Sequence, residues 1–198
     1  VGTGFTDTSR WGCRLLLMGE SHYDEGFGQG SQLTSYVVRR HINRDGKQYA
    51  FWTNIARTFE GRAYGPPATR KRFWDSVAFF NFIQGFVGDG PRQRPSEALW
   101  QDSRSGFWHV IEMLRPHCIV CFGFDLWDKL PAPSGADQRL NVDAIRGRVA
   151  KTRLYRAPSG HACIAGYLRH PSSGYSWRQW SEWATAILEC ARERVPDR

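Results

Sequence analysis

Four short apolar runs divide the chain into a regular pattern. They cover residues 13–18, 76–80, 118–122 and 162–168, and each is almost continuously apolar. Most of them are closed by glycine, asparagine or a His-Pro pair. Apolar runs of this length are typical of strands that are buried on both faces of a parallel sheet. The pattern therefore predicts four central strands.

The segments between these runs have helical periodicity. Helices are predicted over residues 31–43, 49–60, 96–114 and 177–194. Ser96 is a candidate N-cap for the third helix, and apolar residues recur along one face of that helix. Strands that alternate with helices predict an α/β fold. We expect one domain over residues 1–198, with three α/β/α layers and a central four-stranded, mainly parallel sheet.

The remaining segments are less regular. Residues 151–156 are predicted to form an extra strand ahead of the fourth main strand. Glycine and proline mark residues 88–95 and 131–135 as loops. Residues 60–72 and 88–94 are interpreted as long basic loops.

Polar side chains follow three of the four predicted main strands. Gly19-Glu-Ser-His-Tyr23 follows the first strand, Asn81 and Gln84 follow the second, and His170-Pro-Ser-Ser-Gly174 follows the fourth. Ligands of open parallel sheets bind beyond the carboxyl ends of the strands. These residues are therefore expected to form one site at that edge of the sheet.

The charge of the chain indicates a polyanionic partner. The formal net charge is +8 and the sequence pI is about 9.6, with far more arginine than lysine. Arginine forms forked hydrogen bonds to phosphate and stacks on planar rings. A basic but inert surface is the alternative, yet nucleic acid is the expected partner. Aromatic residues make up 14% of the chain, and most are interpreted as core.

The five cysteines give no indication of a metal or cofactor site. Cys118 and Cys121 form a C-x-x-C pair within a predicted strand, where residues three apart face opposite sides. No metal and no cofactor are therefore expected. An odd cysteine count without a visible secretory signal favours a reducing compartment. We expect a cytoplasmic or nucleoid-associated monomer that is not secreted and does not contact a membrane.

The motifs at the strand ends resemble those of the uracil-DNA glycosylase superfamily. Its members have a glycine-headed motif such as GQDPYH or GEAPG after the first strand, a base-reading asparagine after a middle strand, and His-Pro-Ser after the last strand. The corresponding residues here are Gly19-Glu-Ser-His-Tyr23, Asn81 and His170-Pro-Ser-Ser173. The third strand also ends in a glycine, Gly123, as in the family. The matching order runs through residues 13–177.

The resemblance implies a monofunctional DNA N-glycosylase that flips a base out of the stack, hydrolyses its glycosidic bond and leaves an abasic site. His170 is expected to donate a hydrogen bond to the base carbonyl as negative charge builds there, although a histidine can also cap a turn. Asn81 is expected to read the base edge, and strand-end turn chemistry is its alternative role. Gln84 is expected to hold water or to support these groups.

The first motif departs from the best-known pattern. The aspartate that positions water in GQDPYH aligns with Ser21, and the carboxylate is Glu20, as in GEAPG. Glu20 is expected to orient the water, unless it is a structural carboxylate bonded to backbone amides. Asp24 and Glu25 are alternatives for the same role. Further base-pocket residues implied by the resemblance are Gly19, Ser21, His22 in place of the usual proline, Tyr23 near the pyrimidine 5-position, and Phe27 as a stacking ring.

The last motif is expected to bind DNA. By resemblance, Ser172 and Ser173 bind phosphates near the flipped nucleotide. Tyr175 stands where family members insert a wedge side chain into the duplex, and a packing role is its alternative. The target DNA, duplex or single-stranded, is the only macromolecular partner expected.

The identity of the excised base stays open. Asn81 and Tyr23 suggest uracil or a related deaminated base, with a role in repair. The unusual first motif and the basic loops also fit the family members that remove bulky modified cytosines from phage DNA as a defence. A catalytically weak relative that only binds nucleic acid is a third possibility. A hydrolase using Ser21 as nucleophile is a fourth, although the Gly-x-Ser-x-Gly motif is absent.

Overall fold

The computed structural model describes residues 1–21, 33–43, 50–61, 65–85, 87, 93–172 and 174–195. Within these ranges the buried apolar side chains form one cluster around a mixed sheet. The α/β class predicted from the sequence is confirmed.

The sheet contains six strands in the order β2-β1-β3-β6-β5-β4. The strands are β1 (Leu15–Gly19), β2 (Ala78–Asn81), β3 (Cys118–Phe122), β4 (Gln138–Arg139), β5 (Lys151–Arg156) and β6 (Ala162–Leu168). Strands β2, β1, β3 and β6 are parallel, whereas β5 and β4 continue the sheet in antiparallel orientation. The four parallel strands are those predicted from the apolar runs, so their carboxyl ends meet at one edge.

Within the described part of the chain, six helices cover the sheet. They are α1 (Leu33–Asn43), α2 (Ala50–Glu60), α3 (Pro67–Asp75), α4 (Glu97–Leu114), α5 (Phe124–Lys129) and α6 (Trp177–Arg194). The predicted N-cap of α4 is confirmed, because the Ser96 hydroxyl accepts a hydrogen bond from the Leu99 amide at 3.3 Å. Four of these helices match predictions from periodicity; α3 and α5 were not predicted.

Helices lie on both faces of the sheet. Phe79 and Phe80 are neighbours on β2 and so face opposite sides. The ring of Phe79 lies 4.8 Å from that of Trp52 on α2, whereas Phe80 faces Gly106 on α4. On the α2 face, Gly166 of β6 also lies directly beneath Ile187 of α6. The three-layer arrangement therefore agrees with the prediction.

Two details of the prediction are corrected. The sheet has six strands instead of four, because β5 and the two-residue β4 extend it beyond β6. The basic segment 60–72 is not a long loop, since α2 continues to Glu60 and α3 begins at Pro67. Proline is well suited to the first turn of a helix, where its missing N–H is not needed.

All five cysteines are buried and are thiols rather than half-cystines of disulfides. Cys118 and Cys121 lie on β3, which has helices on both faces. Within the described ranges, no group of three or more His, Cys, Asp or Glu side chains is arranged to hold a metal ion. Among the same residues, no helix combines the length and apolar character that crossing a bilayer requires.

Candidate active site

The ends of β1 and β2 bring Gly19 and Asn81 together. The two residues are register partners in the parallel pair, and Asn81 is only 3% exposed. A Cβ atom added to Gly19 would overlap Oδ1 of Asn81. Glycine is therefore required at this position for a steric reason: it leaves room for the Asn81 amide to lie across the end of β1.

Backbone hydrogen bonds continue this pairing beyond the strands. The Phe82 amide donates to the Gly19 carbonyl at 2.9 Å, and the Ile83 amide donates to the Glu20 carbonyl at 2.8 Å. The Gln84 side chain turns back and donates to the Asn81 carbonyl. Gln84 therefore stabilises the turn that carries Asn81, which agrees with a supporting role for this residue.

Glu20 is a carboxylate in a poorly solvated position. Its side chain is 15% exposed, and burial raises the pKa of this carboxyl. The Arg94 guanidinium lies 3.8 Å away and opposes the rise, whereas Asp125 reinforces it. Ser21 follows Glu20 and is half-buried. A carboxylate with a raised pKa is a better proton acceptor than one in water, as long as it is ionised.

The positive charge of Arg94 acts on groups that follow three different strands. Its guanidinium forms a 2.6 Å ion pair with Asp125, which follows β3, and faces Glu20, which follows β1. Its charge also lowers the pKa of His170, which follows β6. The site thus contains a cation whose field acts on both candidate catalytic groups.

His170 lies at the end of β6 with one face against an aromatic ring. Its ring centroid is 5.1 Å from that of Phe51, and Phe51 also contacts Phe79 and Phe122, at 6.2 Å in each case. Although the residue remains exposed, burial on this side lowers the pKa of His170, and Arg94 lowers it further. The imidazole is therefore neutral at pH 7 and retains one N–H to donate.

Helix α2 holds the loop that carries His170. Phe51, Asn54 and Thr58 lie on one face of α2, at positions i, i+3 and i+7. Asn54 donates from Nδ2 to the carbonyl of buried Pro171 at 3.1 Å, and the Thr58 hydroxyl pairs with the Tyr175 hydroxyl at 2.9 Å. Together with the Phe51–His170 contact, these hydrogen bonds hold the segment at residues 170, 171 and 175.

The two described residues predicted to bind DNA differ in their surroundings. Ser172 is exposed, and its amide donates to the His170 carbonyl at 2.8 Å in a tight turn. Tyr175 is half-buried, its ring is stacked on Trp180 at 6.1 Å, and burial raises the pKa of its phenol. Insertion of Tyr175 into a duplex would require the ring to leave this packed position.

Four of the predicted site residues, His22, Tyr23, Phe27 and Ser173, lie outside the described residues. The same holds for Asp24 and Glu25, the alternative carboxylates. The water-binding and pocket-wall roles of the first motif therefore stay predictions.

Sequence reasoning missed four residues of this arrangement. Residues 88–94 are assigned to a basic loop without a specific role for Arg94, and Asp125 is not selected. The strand-end rule that selected Asn81 and His170 also points to Asp125. Phe51 and Asn54 carry no local signal, because their importance comes from a loop more than 100 positions later in the chain.

A separate cavity of about 350 Å³ lies between α1, α3 and the amino-terminal segment. Its lining includes Val38, Ile42, Lys71, Trp74 and Asp75. None of the predicted site residues that the structure describes lines this cavity. It is therefore distinct from the cluster at the strand ends.

The cluster combines groups of three chemical kinds at one edge of the sheet. It offers a buried side-chain amide on β2, a neutral imidazole after β6 and a desolvated carboxylate after β1, all at the carboxyl edge of the sheet. No protein-family model matches the chain, and no curated protein matches its sequence at a significant level.

Proposed function

We propose that the protein is a DNA glycosylase that flips a pyrimidine into the cluster at the strand ends and hydrolyses its glycosidic bond. The observation that carries the proposal is the convergence of Glu20, Asn81 and His170 at one sheet edge, each with the chemical character that its role requires. The order of the motifs and the positive charge of the chain support the same function.

Base recognition is assigned to Asn81. A side-chain amide offers one acceptor and two donors, which matches the mixed edge of a pyrimidine. Because Asn81 is almost fully buried and lies across Gly19, its amide has little freedom to reorient. A fixed amide lowers the entropy cost of recognition and selects bases with the complementary edge.

Bond cleavage is assigned to His170 and Glu20. Water adds to the sugar carbon, the bond from that carbon to the base nitrogen breaks, and the electron pair leaves with the base. The neutral imidazole of His170 donates a hydrogen bond to the base oxygen on which negative charge develops. Ionised Glu20 orients the water, accepts its proton and stabilises the positive charge that develops on the sugar.

The test uses duplexes that carry uracil, hypoxanthine or a bulky modified cytosine, and measures alkali-labile abasic sites. We expect His170→Ala to lower kcat by about 10²–10³, the usual effect of removing one donor to a developing anion. Asn81→Ala is expected to weaken base selection as well. Tight DNA binding without cleavage of any substrate would contradict the proposal and would instead indicate a binding protein.

Two glycine-to-alanine variants provide a test of the Asn81 position and a matched control. Gly19→Ala places a methyl group against Asn81 and is expected to abolish excision. Gly85→Ala is the control, because a Cβ at residue 85 meets no atom of the described residues within 4 Å. Equal activity of the two variants would show that Asn81 does not have to lie across Gly19.

A further inference from the structure

A tight hairpin of exposed residues projects from the same edge of the sheet. Ile145 and Arg148 exchange two backbone hydrogen bonds, of 3.1 and 3.0 Å, across a two-residue turn. Arg146 and Gly147 form the turn with φ values of 52° and 76°. Positive φ at both central residues defines a type I′ turn.

The register of the sheet places this hairpin beside the candidate site. Strand β5 is antiparallel to β6 and begins at Lys151, next to the end of β6. Residues 145–150 therefore lie just beyond the strand end from which His170 follows. The Arg148 guanidinium lies 3.7 Å above the ring of Phe124, the first residue of α5 after β3.

The base of the hairpin is anchored while its tip is exposed. The Trp183 indole donates to the Asp143 carbonyl and the Tyr167 hydroxyl donates to the Val149 carbonyl, both at 2.8 Å. Arg146 at the tip is exposed. The protein thus presents one cationic side chain on a rigid support.

Stability alone would not select an arginine for the left-handed backbone conformation of residue 146. A left-handed backbone costs a residue with a side chain about 1 kcal/mol or more relative to glycine. Asparagine or glycine forms the first position of this turn at lower cost. An unfavourable residue in a well-anchored exposed turn indicates that the side chain has a role outside the fold.

The segment that carries the hairpin is positively charged. Residues 139–151 contain four exposed cations and one carboxylate, Asp143. The cations are Arg139, Arg146, Arg148 and Lys151. A surface of this charge attracts phosphodiester groups.

We infer that the hairpin of residues 145–148 binds phosphates of the DNA that flanks the flipped nucleotide, with Arg146 as the contacting residue. The inference rests on the proposed function for its ligand, because the hairpin lies beside the site in which the base would be held. Arg148, fixed above Phe124, sets the direction of the hairpin. Arg146 supplies the mobile, forked donor that suits a phosphate.

The structure offers a closely matched control for this residue. Arg115 is also an exposed arginine with positive φ, 46°, but it caps α4 at the opposite edge of the sheet, before β3 begins. Arg146→Gly and Arg115→Gly remove the same charge and relieve the same backbone strain. Both variants are expected to fold at least as stably as the unmodified protein, which thermal unfolding checks.

The experiment measures binding to a labelled duplex by fluorescence anisotropy over a range of salt concentrations. Arg146→Gly is expected to weaken binding about three- to tenfold and to lower the slope of log K against log salt by about 1, the effect of losing one phosphate contact. Arg115→Gly should bind as the unmodified protein does, and Arg146→Lys should restore most of the affinity. Equal affinity and salt slope for the two glycine variants would overturn the inference.

Single-turnover excision at subsaturating DNA separates this inference from the proposed function. We expect the excision rate of Arg146→Gly to fall by about the same factor as its DNA affinity, because the hairpin contacts the flanking DNA. If the protein binds DNA through Arg146 but excises no base, the glycosylase proposal fails and the phosphate-binding hairpin stands. If it excises a base without dependence on Arg146, the hairpin inference alone fails.

Discussion

At the scale of single residues, the site depends on the protonation states of Glu20 and His170. The proposed reaction needs an ionised carboxylate and a neutral imidazole, so both groups must have lost their proton. Burial raises the pKa of Glu20, whereas burial and Arg94 lower the pKa of His170. Activity is therefore expected to fall as the pH decreases through these two values.

The fall of activity at low pH is the acid limb of the pH profile. Replacement of Arg94 is expected to move this limb. Arg94 lowers the pKa of both Glu20 and His170, so Arg94→Ala raises both values and shifts the fall in kcat to higher pH. The measurement is a pH profile of single-turnover excision at low ionic strength. Because Arg94 is 70% exposed, salt at about 1 M should remove most of the shift by screening.

Two variants control for the loss of the side chain itself. Arg94→Lys keeps the charge and should keep the position of the limb. Asp125→Asn removes a carboxylate that raises the pKa of Glu20, so it should move the limb to lower pH. An acid limb that stays in place in Arg94→Ala at low salt would show that Arg94 does not act on these groups.

At the scale of secondary-structure elements, α2 is the support of the last motif. Asn54→Ala removes the hydrogen bond to the Pro171 carbonyl and should destabilise the fold by about 1 kcal/mol. The larger effect is expected on kcat, about tenfold, because the loop loses the hydrogen bond at the residue that follows His170. DNA affinity should change little.

Thr58→Val provides the comparison within the same helix face. It removes the hydroxyl pair with Tyr175, five residues beyond His170, and costs a similar amount of stability. Excision by this variant should stay close to the unmodified rate. If both variants lose kcat equally, α2 supports the loop only by general packing and not by positioning His170.

Elements that sequence periodicity predicts well are those with long, regular patterns. The four apolar runs became the four parallel strands because a strand covered on both faces needs apolar side chains at every position. Helix α3 was missed because its charged turn, Arg70 to Arg72, resembles a basic loop. Helix α5 has six residues and β4 has two, too few to show any periodicity.

The residues of the candidate site also differ in whether the sequence alone predicts them. Glu20, Asn81 and His170 were found because strand ends are marked in the sequence by a change from apolar to polar residues. Phe51 and Asn54 were not found, because their contacts are with residues far away in the chain. Local sequence can identify where a reactive group sits on an element, but the groups that orient it depend on tertiary packing.

At the scale of the whole molecule, the sheet and α6 are joined by one close approach. Gly166 lies in the middle of the sheet, paired with Val120 of β3 and Thr152 of β5. A Cβ at residue 166 would lie 2.6 Å from side-chain atoms of Ile187. The absence of a side chain on β6 therefore allows α6 to pack directly onto the sheet.

A double-mutant cycle tests this packing. Gly166→Ala is expected to destabilise the protein by about 1–3 kcal/mol through overpacking. Ile187→Ala is expected to cost about 2–5 kcal/mol through the space it leaves. The double variant should be more stable than the sum of the two effects predicts, as measured by urea unfolding. Strict additivity would mean that the two positions do not share this contact.

The buried thiols can report when the sheet or helix α6 opens locally. Burial raises the pKa of Cys121 to about 12, and hydrogen bonding with Cys13 together with burial raises the pKa of Cys118 well above its ordinary value. A thiol reagent reacts with the thiolate, so the folded protein should be almost inert to alkylation. Each modification event then marks a moment when that part of the core opened. Because Cys118 lies on β3, Cys163 on β6 and Cys190 on α6, alkylation rates resolved by residue would reveal whether the helix separates from the sheet before the strands separate from one another.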